Sequence, residues 1–194
     1  CPMKYAHQYV YGTPWETKPA ALPFGKAIHK AAEVYYRILM EKGEVKSVMH
    51  LQDVFLLVFM AEAKKSRIPV TYKKGEDFES LKALGKNLIE IFHENAQPQK
   101  LVAVEFPFSV KVPDLGNGGD LPVRLEGVFD LVESDSEQTY AVVELKTAAQ
   151  RFSSVRLAFD QQATVYSYAM SRMKVATSEQ SCLVRYDVLL KTKK

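Results

Sequence analysis

Residues 125–147 read LEGVFDLVESDSEQTYAVVELKT, two apolar runs of strand character that are separated by a polar turn. Asp130 ends the first run, and Glu144 and Lys146 end the second. Because residues i and i+2 of a strand point to the same face, Glu144 and Lys146 are expected to lie side by side. The stretch therefore predicts a β-hairpin that carries two carboxylates and an ammonium.

The turn of this hairpin, Ser134–Gln138, consists of residues that favour turns and exposure, and it predicts that Glu133 pairs with Thr139. In that register Asp130 lies diagonally from Glu144, at roughly 7–8 Å between backbones, so both side chains can reach one ion. The two acids then share a face with the lysine, and a slip of one residue would destroy the arrangement. Four apolar residues are expected on the other face, in the core: Phe129, Leu131, Val143 and Leu145.

The chemistry of this group points to a metal site. Two carboxylates that can hold a divalent cation, with an ammonium beside them, suit metal-assisted hydrolysis of a phosphodiester. Oxygen-rich ligation favours a hard cation, Mg²⁺ or Mn²⁺, over zinc. The alternative is ordinary polarity on a partly exposed strand, and the hairpin alone does not decide. Glu105, on a preceding strand, also has two interpretations: it is either an outer carboxylate of the site or a surface residue.

A second candidate group lies in PFGKAIHKAAEVYYRILMEKG, residues 23–43, where apolar spacing predicts a helix over about 24–42. Gly25, His29 and Glu33 are spaced by four and therefore share one side of that helix. A glycine one turn before a histidine permits close approach of another backbone, and a neutral His29 can ligate a metal. A half-buried histidine with one hydrogen bond explains the same pattern.

A third group lies in FDQQATVYSYAMSRMK, residues 159–174, which predicts a helix capped by Asp160. Gln162 and Tyr166 are four apart and lie on one side, where an amide and a phenol can hold a phosphate or a base edge. The alternative is an amphipathic helix with an aromatic core residue. The apolar positions at helical spacing are Phe159, Ala163, Tyr166, Met170 and Met173.

The order of elements along the chain predicts an α+β fold. Further helices are expected over about 47–67 and 77–95, and Pro107 marks an edge strand or a bulge in the strand 101–110. A final strand is expected over 182–190. At 194 residues we expect one domain, with a helical N-terminal part over about 24–97 and a sheet-rich core over about 101–191.

Composition agrees with a soluble intracellular domain. Two cysteines give no disulfide framework, which fits a reducing, cytoplasmic compartment. The most apolar stretch, Val54–Ala63, is too short to span a bilayer, and no signal peptide is recognised. Net charge is only +3, but basic residues gather where they either line a phosphate path or are simply solvated: Lys64–Arg67, Tyr72–Gly75, Arg151, Arg156 and Lys191–Lys194.

Four short motifs follow one another along the chain: Gly25/His29, Gly127/Asp130, Glu144/Lys146 and Gln162/Tyr166. With the opening CPMKYAHQYVYG, they resemble the PD-(D/E)XK nuclease superfamily, specifically its RecB-like branch, which includes the CRISPR adaptation nucleases. The resemblance spans Cys1 to about Met173 and implies a restriction-endonuclease-like α/β/α core, in which helices flank a mixed central sheet. Phe129 here precedes the aspartate in place of the proline of the family name.

The resemblance also implies a role for each motif residue. The ligands implied for a Mg²⁺ or Mn²⁺ ion are His29, Asp130, Glu144 and the backbone carbonyl of Leu145. The catalytic residues implied are Asp130, Glu144 and Lys146, the lysine orienting or deprotonating the attacking water. The substrate contacts implied are Gln162 and Tyr166, and the charge pattern adds Arg151 and Arg156 as candidates.

Some relatives bind an iron–sulfur cluster through one cysteine at the start of the domain and three near its end. Cys1 matches the first position, but Cys182 is the only other cysteine and no Cys-x-x-Cys pattern follows it. Because such a cluster needs four thiolates, no iron–sulfur cluster is expected in this chain. The chain begins at the motif cysteine and ends in KTKK, so it is also interpretable as a fragment of a longer helicase–nuclease.

Together these features predict a metal-dependent DNA nuclease, expected to be an exonuclease that acts on single strands or ends in recombination, repair, phage or CRISPR-type processing. A helicase or recombination protein is the expected partner, and the sequence fixes neither cleavage polarity nor oligomeric state. The alternative is a catalytically silent nucleic-acid-binding module of a helicase–nuclease complex. A small-molecule hydrolase is disfavoured, because the chain has no nucleophile elbow.

Overall fold

The computed structural model describes residues 2–64, 66–135, 139–173 and 181–191. Its helices are α1 (Pro2–Tyr5), which leads into a π-helical turn (Ala6–Val10), α2 (Ala21–Lys42), α3 (Val48–Ala63), α4 (Phe78–Asn95), α5 (Ser154–Ala158) and α6 (Gln161–Met173). Its strands are β1 (Lys18–Pro19), β2 (Val70–Thr71), β3 (Lys100–Pro113), β4 (Asp120–Ser134), β5 (Thr139–Ala148) and β6 (Ser181–Leu190).

The main sheet has the order β3-β4-β5-β6 and is mixed. β3, β4 and β5 are antiparallel neighbours, whereas β6 runs parallel to β5 after the crossover through α5 and α6. β1 and β2 form a small parallel pair of their own. The α+β prediction is confirmed, and so is the edge position of the strand that contains Pro107, because β3 is the outermost strand on its side of the described sheet.

The N-terminal helices follow the predicted segments, with one difference. α2 ends where Gly43 adopts a left-handed conformation at φ 67° and donates its N–H to the Leu39 carbonyl. α3 ends at Ala63, short of the predicted residue 67, because the Ser66 hydroxyl accepts the Ile68 N–H at 3.2 Å in a turn that competes with helix. In the described part of the chain, no helix is long and apolar enough to cross a membrane.

Two hydrophobic clusters pack on the two faces of the sheet. Val142 belongs to one and its neighbour Val143 to the other, and successive residues of a strand point to opposite faces. The larger cluster joins α2, α3 and α4 to the sheet through Val104, Leu131, Val143 and Leu145. The smaller cluster joins α6 to it through Phe108, Val110, Phe129, Val132 and Val142.

The register of the β4–β5 hairpin differs from the predicted one. Glu133 pairs with Ala141 rather than with Thr139, because Ser134 stays in β4 and the connection begins one residue later. Moving the connection by one residue shifts each pair by two positions, so residues keep their faces. Residues 136–138 of the predicted turn lie outside the described part of the chain.

β3 and β4 change faces at the same level of the sheet. Leu131 packs in the larger cluster but Phe129 in the smaller one, so the prediction that these two residues share a face is wrong, although both are buried. β3 behaves likewise, since Val104 and Phe108 belong to different clusters. At this level β3 contains Glu105, the one non-glycine residue of the described chain with positive φ, at 48°. A left-handed residue in a strand turns the side chains that follow to the other face.

Candidate active site

Asp130 lies where β4 and β5 part. The last pair of their ladder is Leu131 with Val143. Beyond it the Asp130 side chain, not a backbone carbonyl, accepts the Leu145 N–H, at 2.9 Å from Oδ2. The same oxygen is 3.3 Å from Nδ1 of His29, which α2 presents to the sheet. The two predicted ligands His29 and Asp130 are therefore in contact.

The His29–Asp130 pair is electrostatically coupled. Burial opposes protonation of the imidazole, but the hydrogen bond and charge of Asp130, followed by the charge of Glu144, outweigh it and raise the pKa of His29 above its usual value. The site therefore attracts positive charge to the position between α2 and β4. A divalent cation is one such charge.

Glu144 belongs to a second hydrogen-bonded group, on the α6 side of the sheet. Its Oε1 accepts from the Lys146 ammonium at 2.5 Å, and its Oε2 accepts from the Tyr166 hydroxyl at 2.8 Å. Lys146 also donates to Oε1 of Gln162 at 2.8 Å, and Nε2 of Gln162 donates to the Tyr166 oxygen at 2.8 Å. Glu144 is only 4% exposed, so this ring of contacts replaces water around a buried charge.

Gln162 and Tyr166 thus contact the acid and the lysine of the Glu-x-Lys motif. Asp160 aligns their helix, because its Oδ1 accepts the N–H groups of Gln162 and Ala163 at 2.9 and 3.2 Å, as the sequence predicts for a cap. Burial, reinforced by the hydrogen bond to Glu144, raises the pKa of Tyr166 above its usual value. The phenol therefore remains a neutral donor to Glu144.

The sequence identified Gly127 only as a motif residue, and the structure shows why this position requires glycine. A Cβ on Gly127 would come within 2.5 Å of the Phe108 ring. That ring packs on Phe129 at 4.7 Å and on Tyr166 at 6.0 Å, between centroids. The absence of a side chain at residue 127 therefore lets Phe108 support the tyrosine that binds Glu144. Phe108 itself carries no signal in the sequence beyond its apolar character.

Gly25 behaves differently. A Cβ placed there meets nothing within 4 Å, so the predicted close approach of another backbone is wrong. The surface of α2 at this point faces a groove of about 870 Å³, which also contacts His29, Asp130 and Leu57.

The donors fit a hard divalent cation in chemical type but are not gathered around one point. Among the described residues, no three His, Cys, Asp or Glu side chains converge closely enough to hold an ion together. Asp130 faces His29 on the α2 side, whereas Glu144 is drawn to Lys146 and Tyr166 on the α6 side. The shared face predicted for Asp130 and Glu144 is therefore not observed, because β4 changes faces at this level.

Glu105 lies beside the same acid. It is placed between the β3–β4 pairs Val104–Leu131 and Phe106–Phe129, across from Asp130. Burial, then the charges of Asp130 and Glu33, raise the pKa of the Glu105 carboxyl. A cavity of about 20 Å³, enough for one water or one small ion, adjoins its side chain. The acidic and histidine residues around that cavity are His29, Glu33, Glu105, Asp130 and Asp187.

The two arginines that the charge pattern suggested lie just before α6. Arg151 is exposed, and the Arg156 guanidinium stacks on the Phe152 ring at 3.7 Å from the centroid. Phe159, predicted on the apolar face of the following helix, precedes that helix and is 83% exposed. Cys1, the candidate cluster ligand, lies outside the described residues, and Cys182 is exposed on β6.

Comparison with known proteins identifies the family of the chain. No curated protein matches the chain in sequence. The family model of the PD-(D/E)XK nuclease superfamily matches residues 1–193, which include all four motifs. The mixed sheet flanked by helices is consistent with the restriction-endonuclease-like fold of that family, whose members generally use divalent metal ions. With nearly its whole length covered by this match, the chain belongs to the PD-(D/E)XK nuclease superfamily.

Proposed function

We propose that this chain is a Mg²⁺- or Mn²⁺-dependent deoxyribonuclease of the RecB-like branch, an exonuclease that hydrolyses DNA during recombination, repair, or phage or CRISPR-type processing. The observation that carries the proposal is the position of Lys146. Its ammonium is held by Glu144 and by Gln162, next to the fork at which Asp130 meets His29. Carboxylates that can hold a cation, with a fixed ammonium nearby, suit phosphodiester hydrolysis.

His29, Asp130, Glu144 and the Leu145 carbonyl are the residues that would hold the cation. When bound, the cation would supply Lewis acidity toward a phosphoryl oxygen and lower the pKa of a ligated water. Glu144 would offer the cation a carboxylate that already lies beside the Lys146 ammonium.

Lys146 has two tasks in this scheme. It orients the attacking water, and it offsets the negative charge that develops on the phosphoryl group. Gln162 keeps the ammonium in place through its amide oxygen. Tyr166 keeps Glu144 in place through its hydroxyl. The predicted substrate-contacting pair therefore acts, in this proposal, mainly on the catalytic residues.

A nuclease assay with matched variants tests the proposal. End-labelled linear single-stranded DNA, duplex DNA and circular single-stranded DNA are incubated with Mg²⁺ or Mn²⁺. We expect degradation of linear DNA, sparing of the circle, and loss of activity in Asp130→Ala and Lys146→Ala. Glu90→Ala, which removes an exposed carboxylate from α4, serves as the control and should retain activity.

The result that contradicts the proposal is equally specific. A folded wild-type protein that binds DNA but never cuts it, with either ion, is the silent binding module of the alternative hypothesis. Cleavage of the circle would keep the nuclease and remove the exonuclease assignment.

A further inference from the structure

The segment between β5 and α6 exposes an unusual set of side chains. α5 and its flanks present Val155 at 67% exposure, Leu157 at 40% and Phe159 at 83%. Arg151 and Arg156 are exposed on the same short segment. We call the set Arg151, Phe152, Arg156 and Phe159 the arginine–phenylalanine surface.

This surface is tied to the catalytic group by a chain of contacts. The Arg156 guanidinium lies on the Phe152 ring, and that ring meets Tyr186 edge-on at 5.7 Å between centroids. The Tyr186 hydroxyl donates to Asp160 Oδ1 at 2.7 Å, and Tyr186 pairs in register with Glu144 on the neighbouring strand. Phe159 directly precedes Asp160, whose Oδ1 accepts the Gln162 N–H at 2.9 Å, and Gln162 in turn contacts Lys146.

The charge of the segment is one-sided. Between Glu144 and Asp160, Lys146 pairs with Glu144, whereas Arg151 and Arg156 lie in a stretch, residues 147–159, that contains no aspartate or glutamate. The groove between α2 and α3 is different, because Lys26 pairs with Glu62 at 2.5 Å and Lys30 with Glu33 at 2.7 Å. Of the two surfaces beside the site, the arginine–phenylalanine surface is thus the one with unneutralised positive charge for a polyanion.

We propose that the arginine–phenylalanine surface binds single-stranded nucleic acid, with Phe159 stacking on an unpaired base and the two arginines contacting backbone phosphates. The inference rests on the proposed function and gives it a substrate class. A base in a duplex has both faces covered by its neighbours and cannot stack on a protein ring, whereas an unpaired base can. Phe159 therefore selects unpaired strands next to the catalytic residues.

The observations favour nucleic acid over a protein partner on this surface. Two guanidiniums flank the aromatic rings, and interleaved cationic and aromatic side chains suit a strand that alternates phosphates and bases. Leu157 and Val155 are smaller and add apolar area without a ring. A protein partner becomes an outcome of the experiment below.

The test compares binding of three probes without divalent ions, so that no cleavage occurs: labelled oligothymidylate, an abasic strand of equal length, and a duplex. Phe159→Ala should weaken oligothymidylate binding about tenfold, the size expected for one lost base stack, and leave the abasic strand unchanged. Phe159→Leu keeps apolar bulk without an aromatic face and should behave like alanine, whereas Phe159→Tyr should remain close to wild type. Leu115→Ala, 95% exposed in the β3–β4 turn, is the control.

The arginines give an independent signature. Arg151→Ala and Arg156→Ala should weaken oligothymidylate and the abasic strand alike, and should reduce the salt dependence of both. If Phe159→Ala changes both probes equally, or neither, base stacking is overturned and the patch is left as a protein contact or plain surface.

Hydrolysis of bis(p-nitrophenyl) phosphate with Mn²⁺ separates this inference from the nuclease proposal, because the ester has no base to stack. Ring-dependent strand binding in a protein that hydrolyses neither the ester nor DNA supports the surface and removes the nuclease activity. Metal-dependent hydrolysis of both substrates without ring-dependent binding removes the surface alone.

Discussion

Oδ2 of Asp130 lies 2.9 Å from the Leu145 nitrogen and 3.3 Å from Nδ1 of His29, so one carboxylate oxygen joins two strands and a helix. The aspartate thus has a structural contact as well as its proposed catalytic one. Its substitutions should separate the two.

Asp130→Asn should retain an oxygen for the Leu145 N–H but lose the charge that attracts a cation. We expect nearly unchanged thermal unfolding and a loss of Mn²⁺ affinity of at least tenfold in calorimetric titration. Asp130→Ala leaves the N–H without its partner and should lower the free energy of unfolding by about 1–3 kcal/mol more than Asp130→Asn does. Equal Mn²⁺ affinity in Asp130→Asn and wild type would contradict the ligand role.

Tyr166→Phe removes the hydroxyl that donates to Glu144 and keeps the ring that packs on Phe108 and Phe129. We expect a fall in kcat of about tenfold, comparable to the loss of one hydrogen bond of about 1.4 kcal/mol in the transition state, with KM for DNA little changed. Steady-state kinetics measure both constants. A rise in KM at constant kcat would instead support the substrate contact that the resemblance implies.

Gly127→Ala and Gly25→Ala form a matched pair. The first places a Cβ 2.5 Å from the Phe108 ring and should destabilise the fold by about 1–3 kcal/mol. The second places a Cβ in open space on α2 and should stabilise it by up to about 1 kcal/mol, since alanine is the better helix former. Urea unfolding of the two variants measures this; equal effects would mean that the Phe108 contact is unimportant.

The free energy of unfolding should depend on pH through the Asp160 carboxyl. The hydrogen bond from Tyr186, only partly opposed by burial, lowers the pKa of the Asp160 carboxyl below its ordinary value. A group with a lowered pKa in the folded state stabilises the fold above its unfolded pKa, and this stabilisation is lost as pH falls through the folded pKa. The loss should therefore appear below about pH 4.

Asp160→Asn keeps a good helix cap without the titration, so its unfolding free energy should fall less between pH 7 and acid than that of wild type. Asp160→Ala also removes the cap and should cost about 1 kcal/mol at neutral pH. An identical acid response of Asp160→Asn and wild type would exclude this carboxyl as a contributor.

Glu105→Gly and Glu105→Ala should reverse the usual order of strand substitutions. Alanine keeps the strain of a left-handed residue, about 1–2 kcal/mol, and glycine removes it. We therefore expect the glycine variant to be the more stable by about 1 kcal/mol in urea unfolding. At Leu183, an exposed and regularly paired position of β6, the same pair should show alanine as the more stable. If alanine is the more stable variant at both positions, the backbone at Glu105 is not strained.

Part of the site was predictable because an error of two residues in the strand register leaves each side chain on its predicted face. Glu133 pairs with Ala141 and not with Thr139, yet Glu144 and Lys146 still lie side by side on β5, since a two-residue shift preserves parity. The His29 helix and the Asp160 cap were predictable from local spacing and capping chemistry. These features depend on residues close together in the sequence.

The change of faces at Glu105 was not predictable, because an acidic residue within an apolar run gives no sign of positive φ. The prediction that Phe129 and Leu131 share a face failed at the same level of the sheet. The support of Tyr166 by Phe108 was hidden for another reason: the two residues are distant in the chain, and their contact depends on Gly127 between two strands. Such features depend on tertiary packing, which local sequence patterns do not reveal.

The change of faces in β3 and β4 also connects the two sides of the sheet. Each strand is shared between two separately packed interiors, because Phe129 packs in one and Leu131 in the other. Asp130 is the residue between them. We therefore expect the carboxylate that faces α2 to respond to a displacement of α6, whose Tyr166 ring packs on Phe129.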